Sequence, residues 1–517
     1  MKTLHQIRIP IEEKNLDLLR EAASRLGILS QEIDQVRVLK RSLDARGRKK
    51  YWIYSLEVFF TNEKTESAFT PFPLVSWKKG TQDPPLIIGA GPAGLFAAWT
   101  FLQHGICPIL IERGERTHQR MAKISRFWRQ GILDLESNVC YGEGGAGTFS
   151  DGKLITRIKS PHIARIMDSL VRFGAPPEIA HAYDPHVGSN RIREVIRKFS
   201  DHLIEQGADL RFQTRVDSLV LSGREVQGVQ LQDGTRISCS GVILACGHSS
   251  RDLFNTLYQQ GVAIEAKPFA LGLRIEHSQE FINQWQYGCE MEELGAAQYK
   301  LTAHWPEKNL GVYTFCMCPG GYVIASSTDS RSTVVNGMSN YQRNSPWANS
   351  AVVCTVPLEN ITGSDPFRLM EFQHQIERNT YQAAQETHRI PAQKLGDFLA
   401  GRMSKIQNRV SCPSGIVEAN LRDILPDWIS RQLIEGFQQF EKKRRGFCHP
   451  DAILHAVESR TSSPIRIPRT ENSFESINTS GLFPCGEGPG YAGGITSAAA
   501  DGINAALAWV KKFATMV

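Results

Sequence analysis

Gly89, Gly91 and Gly94 stand in the spacing G-x-G-x-x-G, between the apolar run Leu86–Ile88 and a segment that carries Pro92 at its first turn. Residues of these types in this order can hold a diphosphate. Gly89 permits a tight turn out of a strand, Gly91 lets an anion approach the backbone, and Gly94 lets the following helix lie close on that strand. Pro92 gives up an N–H that has no intrahelical partner at that position. The loop Gly89, Ala90, Gly91, Pro92, Ala93 and Gly94 thus presents free N–H groups and the positive end of a helix to an anion. Glu112, after the second apolar run Pro108–Ile111, falls where an acid accepts ribose hydroxyls, and Arg113 follows it. Strand, turn, helix, strand and acid agree, so the segment is expected to be a dinucleotide clamp.

Two further segments bear on which dinucleotide. Residues 481–508 read as a strand, Gly486-Glu487, a glycine loop and an Ala-rich helix opening near Gly494-Ile495. Residues 241–247 read as an apolar strand that ends on Ala245, Cys246 and Gly247. Before it, residues 210–238 alternate, with turns at Ser222-Gly223 and Asp233-Gly234, and predict a three-stranded meander.

These segments resemble the glutathione-reductase-type flavoproteins. The resemblance implies FAD, with the acid at Glu487 near a ribityl hydroxyl, Val216 beside the adenine, and the helix start at Gly494-Ile495 facing the flavin pyrimidine. Asp is usual where Glu487 stands, and Thr where Cys246 stands. A helix N-terminus there favours the negative charge of the reduced ring. Longer strings narrow the likeness: CYGEGGAGTFSDGKLITR at 140–157, FCMCPGGYVIASS at 315–327, VVNGMSNYQRN at 334–344, ESRTSSPIRIPR at 458–469 and CGEGPGYAGGITSAAADG at 485–502. Together they resemble the uncharacterised FAD-dependent dehydrogenases of bacteria and plastids, over nearly the whole chain. The resemblance implies a fold and a cofactor and no established substrate.

The fold expected is α/β: a Rossmann-like FAD-binding domain with an inserted α+β substrate or cap domain and a small N-terminal βαββ module. The module spans 1–62, with a strand at His5–Ile9, a helix at Glu12–Leu26 and strands at Gln35–Leu43 and Tyr51–Phe60. A proline-containing surface linker covers 63–83. The FAD-binding domain takes 84–261, with a helical excursion at 116–200, and resumes at 449–517; the insertion is 262–448.

At 517 residues and 41% hydrophobic, the chain can bury the cores of two or three domains. Its 59 basic and 53 acidic residues give a formal charge of +6, too small an imbalance for this length to argue for nucleic acid or a membrane surface. The N-terminal residues lack a signal-peptide core, no membrane span is expected, and eleven cysteines without an export signal point to reduced thiols in a cytoplasm. No metal-ligand spacing and no G-x-S-x-G elbow is present.

Gly142, Gly144 and Gly147 repeat the glycine spacing, but TFSDGK after them does not read as a helix, so a loop packed on the cofactor is preferred to an independent NAD(P)H site. NAD(P)H stays open as an electron donor, beside oxygen, a quinone or a carrier protein. Gly147 and Ser150 are expected at the cofactor. Asp151 and Lys153 either contact FAD or an anionic substrate, or cap the turn before Leu154. Arg460 either binds a substrate carboxylate or anionic flavin, or makes a structural ion pair. These three are the catalytic candidates. Cys316 and Cys318, two apart on a strand, are expected on one face, either as a redox pair beside the flavin or as buried packing residues; the absence of a C-x-x-C favours packing. The function expected is a FAD-dependent oxidoreductase acting on a small molecule. The alternatives are an RNA-associated flavoprotein, suggested by the basic stretches Arg37–Arg41, Arg46–Lys50 and Glu441–Arg445, and a flavin-bound interaction protein without turnover.

Overall fold

The computed structural model describes residues 1–13, 16–47, 49–61, 72, 75–76, 83–289, 292–308 and 310–516. The linker expected at 63–83 lies almost wholly outside them, as does Arg48 of the basic hairpin.

The centre of the molecule is a five-stranded parallel sheet in the order Leu482–Pro484, Val242–Leu244, Leu86–Ile88, Ile109–Ile111, Asp209–Arg211. Four of its strands are short and wholly apolar because both faces are covered, while the edge strand Asp209–Arg211 is not. The helices Pro92–Gln103 and Ile495–Phe513 cross on one face. A side chain at Gly502 would meet the backbone oxygen of Ala93 at 2.0 Å, so a glycine there is what lets the second helix close on the start of the first. Both helix N-termini consequently open at the same end of the sheet. The meander Val216–Ser222, Glu225–Leu231, Arg236–Ser238 covers the other face.

The insertion is built on a seven-stranded sheet in the order Thr302–Trp305, Leu310–Cys318, Trp347–Val356, Phe269–Ser278, Ile453–Glu458, Ile390–Lys394, Ile416–Glu418. Strand Ile453–Glu458, expected in the resumed core from 449, hydrogen-bonds instead between Phe269–Ser278 and Ile390–Lys394. The helices Arg368–Ala383 and Asp427–Lys443 pack on this sheet over a core of their own. The fold is therefore α/β, a Rossmann-like core with an inserted α+β cap.

The N-terminal module has the order Lys2–Pro10, Tyr51–Phe60, Ile33–Asp44 in one antiparallel sheet, with the helix Leu18–Leu26 on one face. That helix begins six residues later than the apolar pattern predicts. The Asp17 carboxylate accepts from the Leu19 and Arg20 N–H groups and sets the start. Among the described residues no helix is long and apolar enough to cross a membrane, and no group of three or more His, Cys, Asp or Glu could hold a metal.

Candidate functional site

A cavity with about 1600 Å³ of empty space, counted to its open mouth, lies between the parallel sheet and the cap. On the core side it is walled largely by backbone. Gly89 takes φ +105, and a side chain there would meet the Ala245 oxygen at 2.4 Å; one at Gly94 would meet the Gly89 oxygen at 1.9 Å. Gly91 differs, since nothing lies within 4 Å of the position its Cβ would take, and that open space belongs to the cavity. Neither helix start, at Gly91 or at Gly494, is capped by a side chain. Of the residues expected at the cofactor, Ala90 and Gly94 serve the turn and every other one lines the cavity.

The Glu112 carboxylate accepts three backbone N–H groups: Ala90 at 2.8 Å, Gly114 at 2.9 Å and Gly142 at 2.9 Å. It ties the first glycine loop to the second. The second loop is part of the same wall, with Gly144 N–H donating to the Ala90 oxygen at 2.8 Å and a short 3₁₀ turn at Ala146–Phe149 in place of a helix. Arg120, fully buried, fixes this loop by donating to the carbonyls of Asn138, Val139, Glu143 and Gly145. Arg113 stacks on Tyr141 and pairs with Glu136 at 2.8 Å and Asp252 at 3.1 Å, so its charge is already committed.

At the opposite end, Gly486 N–H donates to Asp501, which is gripped by both terminal nitrogens of Arg469. The Glu487 carboxyl lies 3.9 Å from His248 Nε2 and lines the cavity. Burial pushes its pKa up to about 7, only partly offset by Lys267. Burial, with Arg460 nearby, lowers His248 to about 3 and keeps its ring neutral.

The three catalytic candidates all reach this cavity, with their charges arranged differently. Asp151 is 2% exposed and accepts from Lys153 at 2.6 Å, from Arg343 and from the Ser339 hydroxyl. Burial alone would raise its pKa; Lys153 and Arg343 outweigh it and hold the group at about 2. A carboxylate so bound does not take up a proton near neutrality. Arg460 is locked by Glu377 through two 3.0 Å bonds, with Ser249 and Thr328 on its third nitrogen. Glu377 also holds Arg251 at 3.0 Å, and the two guanidiniums keep its buried carboxyl well below the usual range despite desolvation. This cluster clamps the cap helix Arg368–Ala383 to the core. Lys153 alone of the three keeps part of its ammonium toward the cavity, 22% exposed, with Gln298 at 3.3 Å.

The cap contributes Phe315, Cys316, Cys318, Asn336, Gly337 and Glu458. Cys316 and Cys318 both line the cavity, but the pairing of their strand slips between Phe315 and Cys318 and the two are not equally accessible. Cys316 is exposed and Cys318 buried. Sequence reasoning missed Glu377, Asn336 and Glu458, whose charged or polar partners lie 62 to 184 residues away along the chain, and Arg120, which serves carbonyls 18 to 25 residues further on. His248 and Ser249 follow Gly247 directly and were within reach of it. Two of the basic stretches that suggest RNA are partly used internally: Lys50 donates to the carbonyls of Ala45, Gly47 and Tyr287, and Arg444 to that of Trp285.

The chain is 39% identical over 99% of its length to an uncharacterized protein of Clostridium beijerinckii, 98% of which is covered. The two belong to one family. Residues 268–461 match the family described as FAD-dependent protein, C-terminal domain-like, residues 85–278 match glucose inhibited division protein A, and residues 1–59 match a domain of unknown function. The cap sheet and the glycine-rich core therefore each fall within a recognised family region. Among solved structures, a triple mutant of the flavin-dependent brominase Bmp2 is 12% identical, covering 84% of this chain and 81% of that one, with a TM-score of 0.37. CtdE in complex with FAD and substrate 4 is 13% identical, covering 83% and 81%, with a TM-score of 0.33.

Proposed function

We propose that this protein is a FAD-dependent oxidoreductase that moves a hydride between the flavin N5 and a small molecule held against the cap. One observation carries the reading: two uncapped helix N-termini, far apart in the chain, open into a single cavity whose core wall is glycine backbone and whose far wall is the cap sheet. An extended ligand with a diphosphate at Gly91 and a redox ring near Ile495 fits that pair of fields.

When bound, FAD supplies the two-electron acceptor, and the chain's residues do the rest. Glu112 and the loops it ties shape the diphosphate and ribose end. The helix start at Gly494 faces charge that develops on the reduced ring. Lys153 offers a cation to the substrate side, with Asp151 as the residue that positions it. Glu377 holds the cap down through Arg251 and Arg460, excluding water from the space between.

The test is direct. The purified full chain should be yellow and release FAD on denaturation. Anaerobic mixing with a metabolite library, with NADH and NADPH tried separately, should bleach it with one reductant class. A colourless chain that takes up no FAD would overturn the reading.

A further inference from the structure

The strand Leu310–Cys318 reaches the cavity as no regular strand would. Its partners are Ala351 for Phe315 and Asn349 for Cys318, so three steps on one side face two on the other. Bulges of this kind re-aim a side chain, often beside an active site. Cys316 takes φ +42, a left-handed conformation that a residue with a Cβ seldom keeps unless its surroundings impose it. They do so here: the buried Arg274 lies 3.5 Å from the Cys316 carbonyl and is itself fixed by Glu458 at 2.8 Å and Asn349 at 2.7 Å. The outcome is an exposed Cys316 on the cavity wall. Cys318, buried behind it, reaches the same wall with its Sγ 3.4 Å from the Cys316 carbonyl oxygen. A plain packing role explains neither the exposure nor the backbone.

We propose that Cys316 and Cys318 form a redox-active dithiol that exchanges two electrons with the flavin, making thiols and disulfides the substrate class that meets Cys316 from the cavity. The proposal rests on the flavin reading above. In the exchange the two S–H bonds break and one S–S bond forms. The electron pair and one proton pass to the flavin ring, and the second proton leaves to solvent through the cavity mouth. Reduction of an incoming disulfide starts from the reverse of that step, in which flavin already reduced by a hydride donor returns its electron pair and, with the two protons, the Cys316–Cys318 bond opens to two thiols; these then break the incoming S–S bond, two substrate thiols are released, and the Cys316–Cys318 bond re-forms.

The protein around the cavity wall desolvates both thiols and pushes them up, to about 12 for Cys316 and about 11 for Cys318, while Arg274 pulls each one down. The resting pair is therefore protonated near neutrality. Since the thiolate is the reacting form, exchange should speed up about tenfold per pH unit between 7 and 9.

The tryptic peptide 309–331 holds Cys316 and Cys318 and no other cysteine, which gives a clean readout. The FAD-loaded full chain, oxidised in air, is quenched in acid, alkylated with N-ethylmaleimide and digested. The expected peptide is unalkylated and about 2 Da lighter, becoming doubly alkylated after anaerobic reduction. Dithionite titration should take about four electrons per flavin in the parent and about two in Cys316→Ser and Cys318→Ser at equal flavin content. Full double alkylation in the oxidised chain, or a two-electron titration in all three proteins, overturns the proposal. So does linkage of Cys316 to Cys140 or Cys246, which also line the cavity. A chain that binds no flavin sinks the flavin reading instead. Diamide then decides the pair separately: a disulfide within 309–331 supports it and free thiols refute it.

Discussion

The two walls of the cavity are made in opposite ways. The core wall is backbone: glycines that exclude side chains, two bare helix starts, and one carboxylate gathering N–H groups. The cap wall is held by side chains: Arg274 on Glu458 within the cap, and two clusters that join cap to core, Arg343 on Asp151 beside Lys153, and Glu377 on Arg251 and Arg460. A backbone wall suits a ligand shared by many enzymes, because N–H groups and helix dipoles recognise phosphate whatever is attached to it. A wall of committed ion pairs instead fixes the shape of the space left for a substrate.

The largest effects should come from the core wall, where two glycines separate folding from binding. Gly94→Val would place a side chain 1.9 Å from the Gly89 oxygen, so the helix cannot stay on its strand, and no folded, flavin-binding protein is expected by circular dichroism. At Gly91 a Cβ would meet no protein atom within 4 Å, so Gly91→Val should fold as the parent does, yet bind FAD at least about tenfold more weakly by fluorescence titration. Equal loss of folding in both variants would show that the loop serves structure alone.

That contrast also explains what the sequence could tell. The core wall was readable because its requirements are local: Gly89, Gly91 and Gly94 act within six residues, and Glu112 follows one helix and one strand later. Glycine spacing likewise placed Gly486 and Gly494 at the same cavity. The cap wall was not readable, since Glu377 meets Arg251 and Arg460 across 126 and 83 residues, and no periodicity carries that pairing. The exposure of Cys316 turns on a one-residue slip in register, which alternation cannot show. The domain boundary near 449 was misplaced for a related reason: an apolar strand such as Ile453–Glu458 reads the same in either sheet.

Within the cap wall, Glu377→Gln should have the strongest effect. It leaves two buried guanidiniums facing a neutral amide, and a destabilisation of about 3–5 kcal/mol is expected from urea unfolding. A loss below about 1 kcal/mol would mean that the cluster does not clamp the cap to the core. Asp151→Asn should cost less, about 2–3 kcal/mol at pH 7. Its carboxyl is held at about 2, below the unfolded value. The stabilisation is therefore present above about pH 4 and lost as the pH falls toward 2, where variant and parent should converge. If the difference persists unchanged at low pH, the charge on Asp151 is not its source.

Glu487 should have the smallest effect, and one of opposite sign. Burial raises its carboxyl to about 7, so the folded chain holds that proton more tightly than the unfolded chain does. Such a group favours folding at low pH, and the advantage disappears as the pH rises from about 4.5 through 7. Above that, an ionised Glu487 is a liability that Gln does not share. In the flavin-free chain Glu487→Gln should therefore be more stable than the parent by about 1–2 kcal/mol at pH 8, a figure reduced for the 28% of the side chain open to the cavity, and equal to it at pH 4. Saturation with FAD should shrink the gain at pH 8 if a ribityl hydroxyl donates to this carboxylate, since that hydrogen bond favours its ionised form. A gain that survives FAD saturation would place the ribityl chain elsewhere and leave Glu487 as part of the cavity lining.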